Sequence, residues 1–342
     1  MIPPQSRASV LVALLAGSAL AFLSGCATSG SKYATRGVHL YETNNVIRVD
    51  LDGERFTEYH FRDVSRPFLY PILSPRGEHF TRRWPQETVP NEEHDHPHHH
   101  ALWWGHGSAN GVDFWSEEKN AGRTVHQSFA AMESGSRVGT LTSRNRWIAK
   151  DGKVIADDER TMQFRKGDNG SRIVDFSVTV TATQGDLVLG DTKEGTMAIR
   201  LAESMRLAQP AKKPGLGHIL NSEGVRDGNT WGKRAAWVDY TGPVEGRTLG
   251  VAIFDHPSNP RFPTWWHVRD YGLFAANPFG LHDFTKAEKG AGDFKIPAGT
   301  HVTFRYRFLF HDGEAKAARV AESAVEFQKT SPVSSASSAS QR

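Results

Sequence analysis

A period of two dominates the hydrophobic pattern of this chain. Across 173–181, Val174, Phe176, Val178 and Val180 fall on one side, while Asp175, Ser177 and Thr179 fall on the other. That is the pattern of a half-buried strand. Residues 301–310 repeat it, with Val302, Phe304, Tyr306, Phe308 and Phe310 on one face. Further strands are predicted over 46–51, 56–61, 68–73, 125–132, 140–149, 153–157, 195–205, 237–240 and 248–254. Asp52-Gly53 and Asp151-Gly152 lie between alternating runs and predict tight hairpins. Only 314–327 carries Ala, Val and Phe at helical spacing. Many short strands, antiparallel turns and one C-terminal helix predict an all-β fold, a large antiparallel β-sandwich.

The amino terminus departs from this pattern. Arg7 precedes an apolar run, 8–23, that ends in Leu23-Ser24-Gly25-Cys26. The run is short for a membrane-spanning helix, and it matches a signal peptide over 1–25 with a lipobox. Cys26 is the only cysteine, so it is the candidate lipidation site and no internal disulfide can form. The chain is expected to be exported and lipid-anchored, with Ala27 pointing to outer-membrane sorting. Residues 26–44 are expected to act as a tether, 45–328 as a single sandwich domain, and 329–342, rich in Ser and Ala, as a disordered tail. With 342 residues, 38% hydrophobic and 23% charged, the chain can bury a large core. A net charge of +3 without a basic stripe gives no reason to expect nucleic acid. The oligomeric state is not legible.

Chemistry concentrates in a single stretch, 92–115. Six of the 16 histidines lie there between His94 and His106, beside Asp95, Asp113 and three tryptophans. Imidazoles packed among carboxylates cost desolvation unless each nitrogen finds a partner. His96, His98 and His100 alternate and would share a face of a strand, as metal-ligating histidines do, and His96, His98 and His99 form the candidate metal set. The cofactor is left open, with a divalent metal ion as a candidate. Two readings compete with it: a metal-free pocket of proton-relaying histidines, and a loop of surface histidines. A second cluster, 190–200, offers Asp191, Glu194 and Arg200. A third, 255–269, repeats Asp-His-Pro at Asp255-His256-Pro257 and adds Arg261, Trp265, His267 and Arg269. The arginines can fork onto oxygens, and the tryptophans can stack on a sugar ring or fill a core.

Asp-His-Pro-His-His at 95–99, Trp-Gly-His-Gly and Asn-Gly-Val-Asp-Phe-Trp within 104–115, Gly-Asp-Thr-Lys-Glu-Gly at 190–195, Asp-His-Pro-Ser-Asn-Pro-Arg at 255–261, Trp-His-Val-Arg-Asp-Tyr-Gly-Leu at 266–273 and Asn-Pro-Phe-Gly at 277–280 together resemble the DUF6807 family, often labelled methane oxygenase PmoA. His100-Ala101 stands where that family usually shows Arg-Gly. The resemblance implies a β-rich exported or lipid-anchored protein, encoded near sugar-processing genes. By analogy the sandwich is expected to be a galactose mutarotase-like super-sandwich with a concave face. The expectation is a carbohydrate-active enzyme of epimerase, lyase or hydrolase type, acting on a small-molecule or glycan substrate. His96, His98, His106, Glu194, His256 and His267 are its candidate acid/base groups. Trp104, Asp113, Trp115, Arg200, Arg261, Trp265 and Arg269 are its candidate substrate contacts. The alternatives are a metal-dependent enzyme built on His96, His98 and His99, and a glycan-binding lipoprotein without chemistry.

Overall fold

A computed structural model describes residues 36–331. Two eight-stranded antiparallel sheets pair face to face. The first runs, in spatial order, through Val38–Thr43, Val46–Leu51, Glu54–His60, Phe68–Ile72, Leu102–His106, Gly195–Arg200, Leu273–Asn277 and Trp265–Val268. The second runs through His218–Asn221, Trp237–Val244, Arg247–Asp255, His301–Asp312, Arg172–Thr181, Val154–Lys166, Val138–Ile148 and Arg123–Glu133. This is the large antiparallel β-sandwich that the alternation predicts.

The pattern sets which face is buried. Val174, Phe176, Val178 and Val180 meet Leu102, Trp104, Met197, Ile199 and Phe274 of the first sheet in one continuous core. Both Asp-Gly hairpins form: the strands flanking Asp52-Gly53 pair directly, as do those flanking Asp151-Gly152. Glycine is demanded at 107, where an added Cβ would lie 2.8 Å from the Glu194 Cβ. The loop after Leu102–His106 can therefore press against the 190–195 turn.

Several boundaries differ from expectation. The tether predicted over 26–44 is shorter, because Val38–Thr43 pairs with Val46–Leu51 as an edge strand. The helix predicted over 314–327 begins at Val320, after Arg319 turns left-handed at φ 55°. A second, five-residue helix forms at Leu281–Thr285, inside a segment that reads as a turn-rich loop. Thr330 and Ser331, expected in the tail, are held: their carbonyls accept hydrogen bonds from Arg305. The expected signal peptide, Cys26 and residues 332–342 lie outside the described residues. No helix among the described residues is long and apolar enough to cross a membrane.

Beyond the core, each sheet carries a smaller apolar cluster on its outer face. On the second sheet, Ala252, Phe254 and Leu309 receive Val320, Ala324 and Phe327 of the C-terminal helix. On the first, Phe68, Tyr70, Trp103, Trp115, Ala198 and Ala275 form an aromatic floor. The 92–115 segment lies over that floor.

A histidine cleft on the outer face of the first sheet

A cleft of about 640 Å³ opens above this floor, and His96, His98, His99, Asp113, Trp115, Glu194, His267, Arg269 and Tyr271 are among its lining residues. Three sequence-distant stretches thus meet in one place. His267 reaches it from the edge strand Trp265–Val268, in which Trp266 and Val268 turn into the core. Arg269 and Tyr271 follow on the turn at Gly272 (φ 90°) that leads into Leu273–Asn277.

Asp95 and His96 form a hydrogen-bonded pair. Asp95 takes hydrogen bonds from Arg200 Nη2 at 2.9 and 3.2 Å and from Arg82 Nη1. Both guanidinium side chains are fully buried. Burial works to raise the Asp95 pKa, but the His96 hydrogen bond and the two arginines override it and hold the carboxyl well below the usual carboxylate range. The carboxylate accepts from His96 Nδ1 at 2.8 Å. A carboxylate cannot donate, so Nδ1 carries a proton, and the tautomer with that proton leaves Nε2 free to accept one. The His96 backbone lies at φ 42°, a left-handed conformation that costs about 1 kcal/mol or more and clusters at functional sites.

The His96 ring is held in a column. Tyr271 stacks with it at 5.3 Å and 6°, and His99 at 4.6 Å and 8°. Trp103 continues the column beneath His99 at 5.4 Å. Arg200 Nη1 donates to His99 Nδ1 at 3.2 Å, and Trp231 Nε1 donates to His267 Nδ1 at 3.3 Å. Arginine and indole N–H groups only donate, so both imidazoles present Nε2–H to the cleft. Burial, reinforced by Arg269 and Lys193, lowers the His267 pKa to about 3. Burial and then Arg200 lower that of His99 well below its ordinary value. Burial and Arg66 lower His98 to about 4, so all three are neutral near pH 7.

Parallel rings do not aim their nitrogens at one point. His96, His98 and His99 are stacked or edge-on, with centroids 4.5–5.8 Å apart, and a guanidinium occupies His99 Nδ1. Among the described residues no group of three His, Cys, Asp or Glu side chains is placed to hold a metal ion. The predicted metal set therefore does not fit a metal.

Several candidates lie elsewhere. Trp104 and His106 point into the core, because Leu102–His106 alternates and its outward residue is Trp103. His106 Nε2 bonds to the Gly190 carbonyl at 3.0 Å. His256 sits against the C-terminal helix on the far sheet, packed on Phe327 and bonded to Ser258 and the Thr330 carbonyl. Arg261 donates to the carbonyls of Pro278, Gly292 and Asp293 and ties loops together. Trp265 lies under Arg234 at 4.7 Å. Arg200 acts from below, through Asp95 and His99. Asp113 lines the cleft, but its Oδ1 accepts from the Trp115 and Ser116 amides at 2.6 and 3.0 Å and its Oδ2 from the Ser116 hydroxyl. Glu194 pairs with Lys193 Nζ at 2.6 Å. Sequence reasoning missed the roles of Asp95 as orienting partner, of Tyr271 and of Arg82. Tyr271 was findable as the residue four beyond His267, just before Gly272.

Among solved structures, a galactose mutarotase-related enzyme from Lactobacillus acidophilus matches at 11% identity and a TM-score of 0.31, covering 80% of this chain and 97% of that one. A galactose 1-epimerase from Lactobacillus acidophilus NCFM matches at 6% and 0.36, covering 81% and 98%. An aldose epimerase homologue from C. elegans matches at 9% and 0.30, covering 81% and 99%. Scores this low carry no functional argument. No curated protein matches the sequence. The family model described as "Family of unknown function (DUF6807)" matches residues 46–325, so the chain belongs to the DUF6807 family.

Proposed function

We propose that this protein is a carbohydrate-active enzyme working by proton transfer, with His96 as base and Asp95 as its orienting partner. The observation that carries the reading is the Asp95–His96 pair, fixed by two buried arginines and a ring column, with Nε2 left free at the cleft. Proton transfer needs a donor opposite the base. The Tyr271 hydroxyl is the group available, because His98, whose ring makes no hydrogen bond to a described residue, is held neutral by burial and Arg66. The Nε2–H groups of His99 and His267 bind substrate oxygens without exchanging protons, because both rings are held neutral. Trp115 offers an indole wall to the apolar face of a sugar ring. Epimerase, lyase and hydrolase chemistries all fit such a pair.

The same proposal places the enzyme outside the cytoplasm, exported and attached to the outer membrane through lipid on Cys26. Cys26→Ser should move the protein from the membrane to the soluble fraction.

The test is a set of monosaccharides and glycosides incubated in D2O and followed by NMR for new products and for solvent exchange at carbon. His96→Asn should reduce turnover about 100-fold or more while the melting temperature stays within a few degrees. Equal turnover by His96→Asn and the parent protein would overturn the assignment. Sugar binding by both with product from neither would favour a glycan-binding module.

A further inference from the structure

Charged groups surround the cleft, and most are paired. Near His98 lie Asp113 and Glu117 with the buried Arg66. Arg269 and Lys193 lie near His267, and Arg200, Asp95 and Glu194 near Tyr271. Lys193 is satisfied by Glu194, and Arg82 and Arg200 by Asp95. Arg269 is different. Its guanidinium makes no hydrogen bond or ion pair with a described residue; it rests over the Tyr271 ring at 5.3 Å and borders the cleft.

Two further donors border the same cleft. His99 and His267 are each 2% exposed, and their Nε2–H groups have no partner among the described residues. Neither nitrogen is sealed from solvent, so both donors face water that an acceptor on a ligand can replace. A neutral hydroxyl would satisfy one donor but would leave the Arg269 charge uncompensated. A carboxylate supplies two acceptor oxygens and the opposite charge, and arginine matches its planar fork.

We infer that the Arg269 end of the cleft is a carboxylate subsite, so that the substrate is an acidic sugar, a hexuronate or a glycoside of one. This rests on the carbohydrate reading above. Its hydroxyls would face Asp113 and Glu118, which accept from O–H groups, and its carboxylate would face Arg269 and His267.

Calorimetric titration of the full chain with glucuronate, galacturonate, glucose and galactose tests this. The uronates should bind at least tenfold more tightly than their neutral counterparts, and more weakly as salt is raised. Arg269→Gln should lose about 10- to 100-fold for the uronates, the usual effect of removing a charge-assisted hydrogen bond, and leave neutral sugars unchanged. Arg269→Lys should recover part of the loss. Unfolding curves of the variants guard against a folding defect. Equal affinity for acidic and neutral sugars, or an equal loss for both in Arg269→Gln, overturns the subsite but leaves the carbohydrate reading standing. Failure of all four sugars to bind overturns both.

Discussion

Asp95→Asn isolates the pair on which the chemistry rests. In the parent protein one carboxylate, with its side chain 30% exposed, neutralises two guanidiniums that are fully buried. Removing one partner of a buried pair costs about 3–5 kcal/mol, because the remaining charge stays buried. Asn keeps an acceptor oxygen and the site reaches water, so the expected loss is about 1–3 kcal/mol at pH 7. The sign with pH follows from linkage. The folded Asp95 pKa lies below the ordinary value of 3.8, so its contribution is complete above that value and is lost as pH falls toward the folded one. Urea unfolding of the two proteins should therefore show a gap that is full at pH 7 and smaller at pH 3. Turnover should drop about 10²–10⁴-fold, as when an orienting aspartate becomes asparagine in a Ser-His-Asp triad, because the amide can favour the wrong His96 tautomer. A stability gap below about 0.5 kcal/mol at pH 7, or one undiminished at pH 3, would refute the claim that Asp95 balances the two arginines.

Three further outcomes are expected. His267 is held neutral by burial down to about pH 3, so its unfolded form takes up a proton first and stability falls as pH drops below about 6.5. His267→Gln should flatten that fall by up to about 1.4 kcal/mol per pH unit, read from urea midpoints between pH 6 and pH 4.5. Trp104→Ala empties a fully buried core position against Phe304. It should cost about 3–5 kcal/mol in chemical unfolding, with sugar affinity of the folded protein unchanged. His256→Ala should leave turnover within about twofold of the parent, since general acid–base groups act only within hydrogen-bond reach. Limited proteolysis should instead cut faster after Phe327, because Thr330 loses its His256 bond.

What the sequence reveals and what it hides follow from the range of each signal. Alternation is local, and a slip of one residue would turn every core side chain to water, so the long strands Arg172–Thr181 and His301–Asp312 are written plainly. Val38–Thr43 reads weakly, because as an edge strand it buries only Val38 and Leu40. The helix start is displaced because Ala315 and Ala318 continue the apolar spacing into a turn that packs on the same cluster. The site was legible as a meeting of distant stretches, but not in its membership.

Two residue pairs show why. Trp103 and Trp104 are adjacent and chemically identical; only the register of Leu102–His106 against Gly195–Arg200 sends the first to the cleft floor and the second to the core. Asp-His-Pro occurs twice with opposite fates. At 95–97 the aspartate meets two arginines and accepts from the histidine Nδ1, the arrangement on which the proposed base rests. At 255–257 the aspartate is buried, bonded to Asn259 and the Thr264 amide, and its pKa rises to about 7 because burial outweighs those bonds. The difference lies outside the tripeptide. Arg200 reaches Asp95 from a strand 105 residues away in sequence, whereas Asp255 makes no ion pair with a described residue. A motif names the available chemistry, but the counter-charge brought by the fold decides whether that chemistry is used. The search for related sites should therefore start from paired buried arginines under an Asp-His step rather than from the step itself.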